Sequence, residues 1–242
     1  MTKRHLTTRN YKLLKGEGRG FYTAGLSLTP STESIPFGGR DLCPKAGACK
    51  AACLVGSGRN RTGQAESARV RRTLAYLKTP NKFFGEVFAE IDSARRYAAK
   101  RGLTLAIRPN VLSDQPLLAK RISRQYPEVS VYDYTKIPKP WLRVRANYHL
   151  TFSLDESNHA DAVEAMRHGV NVAVVFNVRK GRDLPSTYTL PGDDHPYPVI
   201  DGDENDLRFL DPQGVIVGLR TKGSNAAMAE GISAGFIKEV TT

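Results

Sequence analysis

Between residues 103 and 177 the hydrophobic pattern changes period again and again, and this rhythm limits the fold more than any other feature of the 242-residue chain. "LTLAIRPN" (103–110) reads as a strand, "QPLLAKRISRQYP" (115–127) as an amphipathic helix and "VSVYDYT" (129–135) as a strand. "YHLTFSL" (148–154), "NHADAVEAMRHG" (158–169) and "NVAVVFN" (171–177) then give strand, helix and strand. Short β-then-α units of this kind build a mainly parallel sheet, either open or curled into a partial barrel. The flanking segments fit the same scheme. A strand is expected in "FYTAGLSLT" (21–29), two helices broken at Pro80 over 65–79 and 82–102, a strand over 214–220 and a helix in "NAAMAEGISAG". With no fixed-period repeat and no linker, residues 1–242 form one domain of α/β class, a TIM-barrel-like partial (β/α) barrel. Folds of this kind collect functional residues at the carboxyl ends of their strands.

The chain's three cysteines, Cys43, Cys49 and Cys53, sit together in "RDLCPKAGACKAACLVG" (40–56), immediately after the first expected strand. No run of about 20 apolar residues is present and the N-terminus lacks an apolar leader, which points to a cytoplasmic protein without a membrane partner. In a reducing compartment three clustered thiols point to a metal site or to reactive thiols rather than to a disulfide. Zinc wants four ligands, and C-x5-C-x3-C would need a distant histidine such as His5, His149 or His195 as the fourth. Three thiolates suit a [4Fe–4S] cluster with one iron left open. The small residues around Pro44 and Gly47 would let backbone wrap such a group.

The net charge of +12 is uneven. Residues 183–211 hold eight acids against Arg208 alone, a charge of −7, so the remainder carries +19. This acidic stretch reads as loops, and "DGDENDLRFLDPQG" (201–214) at its end fails as a calcium loop because Asp206 and Pro212 stand where glycine and glutamate are required. The basic surplus favours anionic partners, a small anionic molecule or nucleic acid. It is densest in "GRNRTGQAESARVRR", where Arg59, Arg61, Arg69, Arg71 and Arg72 could either grip phosphates or face water.

On a parallel sheet, Arg108, Asn110, Asp114 and Lys136 reach the same rim as the cysteine loop, with Ser113, Asp133, Ser153, Asp155 and Asn158 beside them. Charge carried into strand ends that would otherwise be apolar marks a candidate catalytic or binding group. Asp114 and Asp155 have a plainer reading as helix caps or turn formers. Lys222 in "GLRTKGSN" offers a further anion contact. Tyr132 and Tyr134 raise the idea of a DNA-acting tyrosine protein, against which stands the absence of any His-x-His pair.

"LCPKAGACKAAC", "RPNVLSDQP", "YDYTK" and "TFSLDES" together resemble a family of phage proteins of the gene product eighty-eight type, a likeness that spans most of the chain. The resemblance implies a phage origin, and hence host cytoplasm, with a metal-binding cysteine loop. In architecture, a strand running into a three-cysteine loop also resembles radical S-adenosylmethionine enzymes. Here C-x5-C-x3-C replaces their usual C-x3-C-x2-C, and Ala52 stands where an aromatic residue is common. That resemblance implies a cluster at a barrel mouth, with S-adenosylmethionine on its open iron. The resulting expectation is a phage-type iron–sulfur protein whose open iron serves small-molecule binding or redox chemistry, either as an oxidoreductase with a redox partner or as a radical S-adenosylmethionine-like enzyme. The alternative is a nucleic-acid-binding protein in which the cysteines hold structural zinc and the basic helix contacts phosphates.

Overall fold

The computed structural model describes residues 4–8, 13, 15–56, 58–139 and 145–240. Ten strands form a single sheet: β1 (Leu6–Thr7), β2 (Phe21–Leu26), β3 (Thr104–Arg108), β4 (Ser130–Thr135), β5 (Tyr148–Ser153), β6 (Val172–Phe176), β7 (Thr187–Thr189), β8 (Pro196–Asp201), β9 (Ile216–Arg220) and β10 (Ile237–Lys238). They lie in the order β1-β2-β3-β4-β5-β6-β9-β8-β7, with β10 against β6. Neighbours from β2 through β6, β9 and β8 run parallel, and only β1–β2 and β7–β8 are antiparallel. The sheet is not closed: β1 and β7 are its edges. Because β2 to β6 are neighbours in chain order, successive units add strands in one direction and their carboxyl ends form a single rim.

Among the described residues five helices connect the strands: α1 (Gly63–Lys78), α2 (Pro80–Ala99), α3 (Pro116–Gln125), α4 (His159–Arg167) and α5 (Asn225–Ser233). Thr62 caps α1 by accepting the Ala65 amide, and Pro80 opens α2 at a position where a missing N–H costs nothing. Phe83, Val87 and Ile91 recur at helical spacing on α2 and are fully buried against Ala24, Leu26, Leu105 and Ile107 of the sheet. A second core joins Ala162, Ala165 and Met166 of α4 to Phe152, Val172, Val174 and Ile216.

Strand alternation turns Phe21, Arg108, Tyr132 and Tyr134 to the other face of the sheet. That face is covered by a short turn, Arg208–Leu210, whose Phe209 ring lies 5.0 Å from Phe21, 5.6 Å from Tyr132 and 5.7 Å from His149. Residues 183–211, expected to be loops, thus contain β7, β8 and this covering turn. Their polar composition hid the strands because β7 and β8 form an exposed edge with little buried apolar surface.

The sheet parts on one side of β6. β5 pairs with β6 only at Phe152–Val172 and Ser153–Ala173. Farther along, β6 takes β10 as its neighbour, at Ile237–Val175 and Lys238–Phe176, while β9 holds the opposite side throughout. β5 and β6 therefore diverge at their carboxyl ends, and a gap opens there.

A cysteine-lined candidate site

The chain leaves β2 through Leu28 and Thr29, both fully buried, and Thr29 bonds the Thr73 hydroxyl on α1. Leu42, also fully buried, fixes the start of the cysteine loop: its amide donates to Ser31 O, and its carbonyl accepts from Asp114 N and Gln115 Nε2. From there the backbone winds in tight turns, with Ala46 N donating to Cys43 O, Cys49 N to Ala46 O, Cys53 N to Lys50 O and Gly56 N to Cys53 O. Small side chains at Ala46, Ala48, Ala51 and Ala52 allow this winding. Gly47 takes φ +50, in the left-handed region, and a Cβ there would stand 2.3 Å from Glu156 Oε1. Glu156 Oε1 also accepts the Ala48 amide at 2.8 Å, so one carboxylate clamps the loop between its first two cysteines.

All three half-buried thiols line one cavity of about 490 Å³ at the parting of β5 and β6. Ser153, Leu154, Ala173, Val175, Phe236 and Ile237 form part of its wall. Arg108, Asn110, Asp114 and Lys136 reach it as well, so the structure brings the four polar candidates and the three cysteines to one place.

Their surroundings separate their roles. Asn110 is consumed by the scaffold: its amide and Nδ2 donate to Asp133, and its Oδ1 accepts from Ser113 and Gln115. Arg108 donates to both Asp206 oxygens, at 3.1 and 2.8 Å, and lies 4.7 Å from the Tyr134 ring centre. Burial would discharge that guanidinium, but Asp206 beside it more than offsets this and keeps it protonated. Asp114 is neither helix cap nor exposed turn: it accepts from Thr135 Oγ1 and the Lys136 amide, and burial holds its carboxyl above the ordinary range. Asp155 is a turn former, accepting the Ser157 and Asn158 amides. Lys136 Nζ donates to Leu154 O at 3.4 Å and sits 4.8 Å from the Phe236 ring centre.

Cys43 and Cys49 resist ionisation in this state. Burial pushes Cys43 up to about 12, with Asp114 and the other two cysteines adding to the rise. Burial also raises Cys49; Lys136 opposes it, and Asp155, Glu156 and Asp114 reinforce it. A metal that binds here must displace those protons, and Lys136 eases this at Cys49 by favouring the thiolate.

Among the described residues no three His, Cys, Asp or Glu side chains converge where one metal ion could sit. His5, His149 and His195 do not line the cavity. His5 bonds Glu86, His149 faces Phe209 and His195 packs on Tyr197. A zinc ion holds thiolates about 2.3 Å from a single centre, an arrangement these elements do not form. A cluster binds each cysteine at a different iron, so its donors stand farther apart.

The basic helix is only partly available to phosphate. Arg69 is buried and donates to both oxygens of Glu33 and to Asn60 O, while Arg72 turns to Ser27 O and Arg4 O. Arg61 is exposed and Arg71 half-buried; the Arg59 side chain lies outside the described residues. The acidic segment does not meet this helix. Asp201 and Asp203 pair with Arg220, Asp203 pairs with Lys222, and Glu204 pairs with Arg19. Tyr132 is buried and Tyr134 half-buried, both hydroxyls are enclosed and unpartnered, and burial raises both phenols, which makes them poor nucleophiles.

Sequence reasoning missed Glu156 and the β10 residues Phe236 and Ile237. A lone glutamate after a strand carries no motif, and β10 has two residues, too short for a periodic signal.

No helix of the described residues is long and apolar enough to cross a membrane. No curated protein and no solved structure matches the chain, and the resemblance to radical S-adenosylmethionine enzymes gains no support. The family model for Gene product 88 matches residues 2–239, taking in every element from β1 to β10. By that match over nearly its whole length the chain belongs to the phage-type Gene product 88 family.

Proposed function

We propose that the cavity is the seat of a [4Fe–4S] cluster held by Cys43, Cys49 and Cys53, with its fourth iron turned toward a small-molecule pocket at the mouth of a partial barrel formed by β2 to β6 and β9. The observation that carries this reading is the placement of three thiols, on successive tight turns, along the wall of one cavity at the carboxyl ends of parallel strands. The donor set fits. Thiolates are the preferred ligands of iron–sulfur clusters, a polynuclear group tolerates donors that do not converge, and Lys136 offsets thiolate charge next to Cys49. When bound, such a group supplies Lewis-acid or one-electron chemistry at its open iron.

The chain's own residues supply the rest. Asp114, with its carboxyl raised above the ordinary carboxylate range by burial at the cavity wall, keeps its proton to higher pH than an exposed carboxyl and is the candidate proton carrier. Lys136 provides fixed positive charge, and the apolar wall excludes water. In a phage-type protein this chemistry would run in the host cytoplasm, with a small molecule or a redox protein as partner.

Anaerobic reconstitution with iron and sulfide tests the reading. The expected product is a brown protein with about four irons and four sulfides per chain, whose reduced electron paramagnetic resonance signal changes when a ligand enters the cavity. Protein that stays colourless and iron-free overturns it. The nucleic-acid alternative has fewer available cations now that Arg69 and Arg72 turn inward; it predicts binding that weakens steeply with salt and persists in a triple cysteine-to-serine variant.

A further inference from the structure

The +12 charge suggests a polyanionic partner, yet most of the cations that face the cavity are paired with carboxylates. Arg108 pairs with Asp206, Arg220 with Asp201 and Asp203, and Lys222 with Asp203. Lys50 lies 3.5 Å from Asp41. These carboxylates, apart from Asp41, come from the acidic segment after β8.

Lys136 is the exception within the pocket. Its ammonium has three N–H donors, and its described contacts are one long bond to Leu154 O and the Phe236 ring face. No carboxylate of the described residues lies within 4.0 Å of it, although the tied-down Asp114 carboxyl is near enough to feel its charge. Lys45, the other cation without an ion pair here, stands exposed at the rim. Phe236 and Leu154 flank Lys136, and Val111, Ala173 and Val175 add apolar wall to the same cavity. With Lys45 out at the exposed rim, Lys136 is, among the described residues, the one unpaired positive charge beside the apolar part of the chamber, and that specifies its ligand closely. It can anchor one carboxylate and bury a hydrocarbon body, whereas a phosphate ester chain or nucleic acid would find its countercharges already occupied.

We propose that the cavity binds a monoanionic, apolar-bodied carboxylate, with its carboxylate on Lys136 Nζ and its body against Val175 and Phe236, and that the acidic segment is what excludes polyanions. This deepens the proposed function by naming the ligand class, and it is tested on reduced, cluster-free protein so that the two readings fail separately.

The probes are hexanoate, hexanol, hexylamine and tripolyphosphate, measured by calorimetry or by ligand-observed nuclear magnetic resonance. Hexanoate should bind at least about tenfold more tightly than hexanol or hexylamine, tripolyphosphate should bind no better than hexanoate, and butanoate should be weaker by more than about tenfold because each buried methylene is worth about fourfold. Lys136→Met should abolish the preference for hexanoate over hexanol, while Lys136→Arg keeps it. Wild-type protein alone can overturn the proposal: equal binding of hexanoate and hexanol, preferred binding of tripolyphosphate, or no binding of any probe would each do so. An unchanged preference in a folded Lys136→Met would move the anion elsewhere and overturn the assignment.

Discussion

Two segments flank the cavity and hold themselves by opposite means. The cysteine loop, residues 43–56, is a string of short turns with half-buried thiols, tied to the body by Leu42, the Asp114 amide and the Glu156 clamp. The acidic segment, residues 201–211, is held by ion pairs, of which Arg108–Asp206 is buried on both sides, with side-chain exposures of 12% and 2%. The first keeps reactive atoms available at low density of contact; the second spends its charges on the scaffold. A charge-poor loop thus serves a site and a charge-rich segment serves a plug, and the difference lies in whether each polar atom already has a partner.

Breaking the plug should cost the most. Asp206→Ala leaves the Arg108 guanidinium buried without its carboxylate, a loss of about 3–5 kcal/mol in urea unfolding. Glu204→Ala in the same segment removes only the exposed pair with Arg19 and should change stability by less than about 0.5 kcal/mol. Equal effects at the two positions would mean that burial does not separate them.

The pH dependence of the scaffold between the two segments comes next. Asp133, fully enclosed beneath Asn110, is pushed by burial up to about 7 from an ordinary 3.8. The folded state therefore keeps a proton that the unfolded chain releases, so this contribution is full below pH 3.8 and is lost as pH rises through about 7. Asp211, raised by burial to about 6, adds the same sign. Relative to Asp133→Asn, which stays neutral, the wild type should lose on the order of 3 kcal/mol between about pH 4 and about pH 8. Urea midpoints for both proteins across that range check it; parallel profiles would remove Asp133 as the titrating group.

How far the sequence discloses these regions follows from the same physics. The strands β2 to β6 and β9 and the five helices are legible because buried faces impose a hydrophobic period, and Cys43, Cys49 and Cys53 because residue chemistry survives without coordinates. The rim position of Arg108, Asn110, Asp114 and Lys136 follows from the parallel β/α rhythm. Their division of labour does not, because it depends on partners far along the chain: Asp206 lies 98 positions from Arg108, and Glu156 lies 108 from Ala48. β7, β8 and β10 are illegible for another reason, since a three-residue edge strand, its largely exposed neighbour and a two-residue insertion are specified by backbone pairing rather than by side-chain period.

On the cysteine side, Gly47→Ala should lower stability by about 2 kcal/mol, through the positive φ and the contact with Glu156, and should reduce iron uptake on reconstitution. Circular dichroism melts and iron analysis read both. Loss of stability with full iron uptake would show that the clamp is not what spaces Cys43 and Cys49.

The smallest effect gives the finest discrimination, because the two carboxylates near the thiols act on different cysteines. Asp114 raises both Cys43 and Cys49, whereas Glu156 is among the main causes of the rise at Cys49 alone. In cluster-free protein, alkylation by iodoacetamide requires the thiolate, so its rate at each cysteine follows that cysteine's ionisation. Asp114→Asn should shift the alkylation profiles of Cys43 and Cys49 to lower pH together. Glu156→Gln should shift only that of Cys49, with rates up several-fold at fixed pH, as mapped by mass spectrometry of the peptides. If Glu156→Gln accelerated Cys43 and Cys49 alike without moving either pH profile, the clamp would be acting by exposing the loop. A selective shift at Cys49 would instead make Glu156 an electrostatic partner of one thiol, and the cysteine loop would share with the acidic segment a dependence on a single well-placed carboxylate.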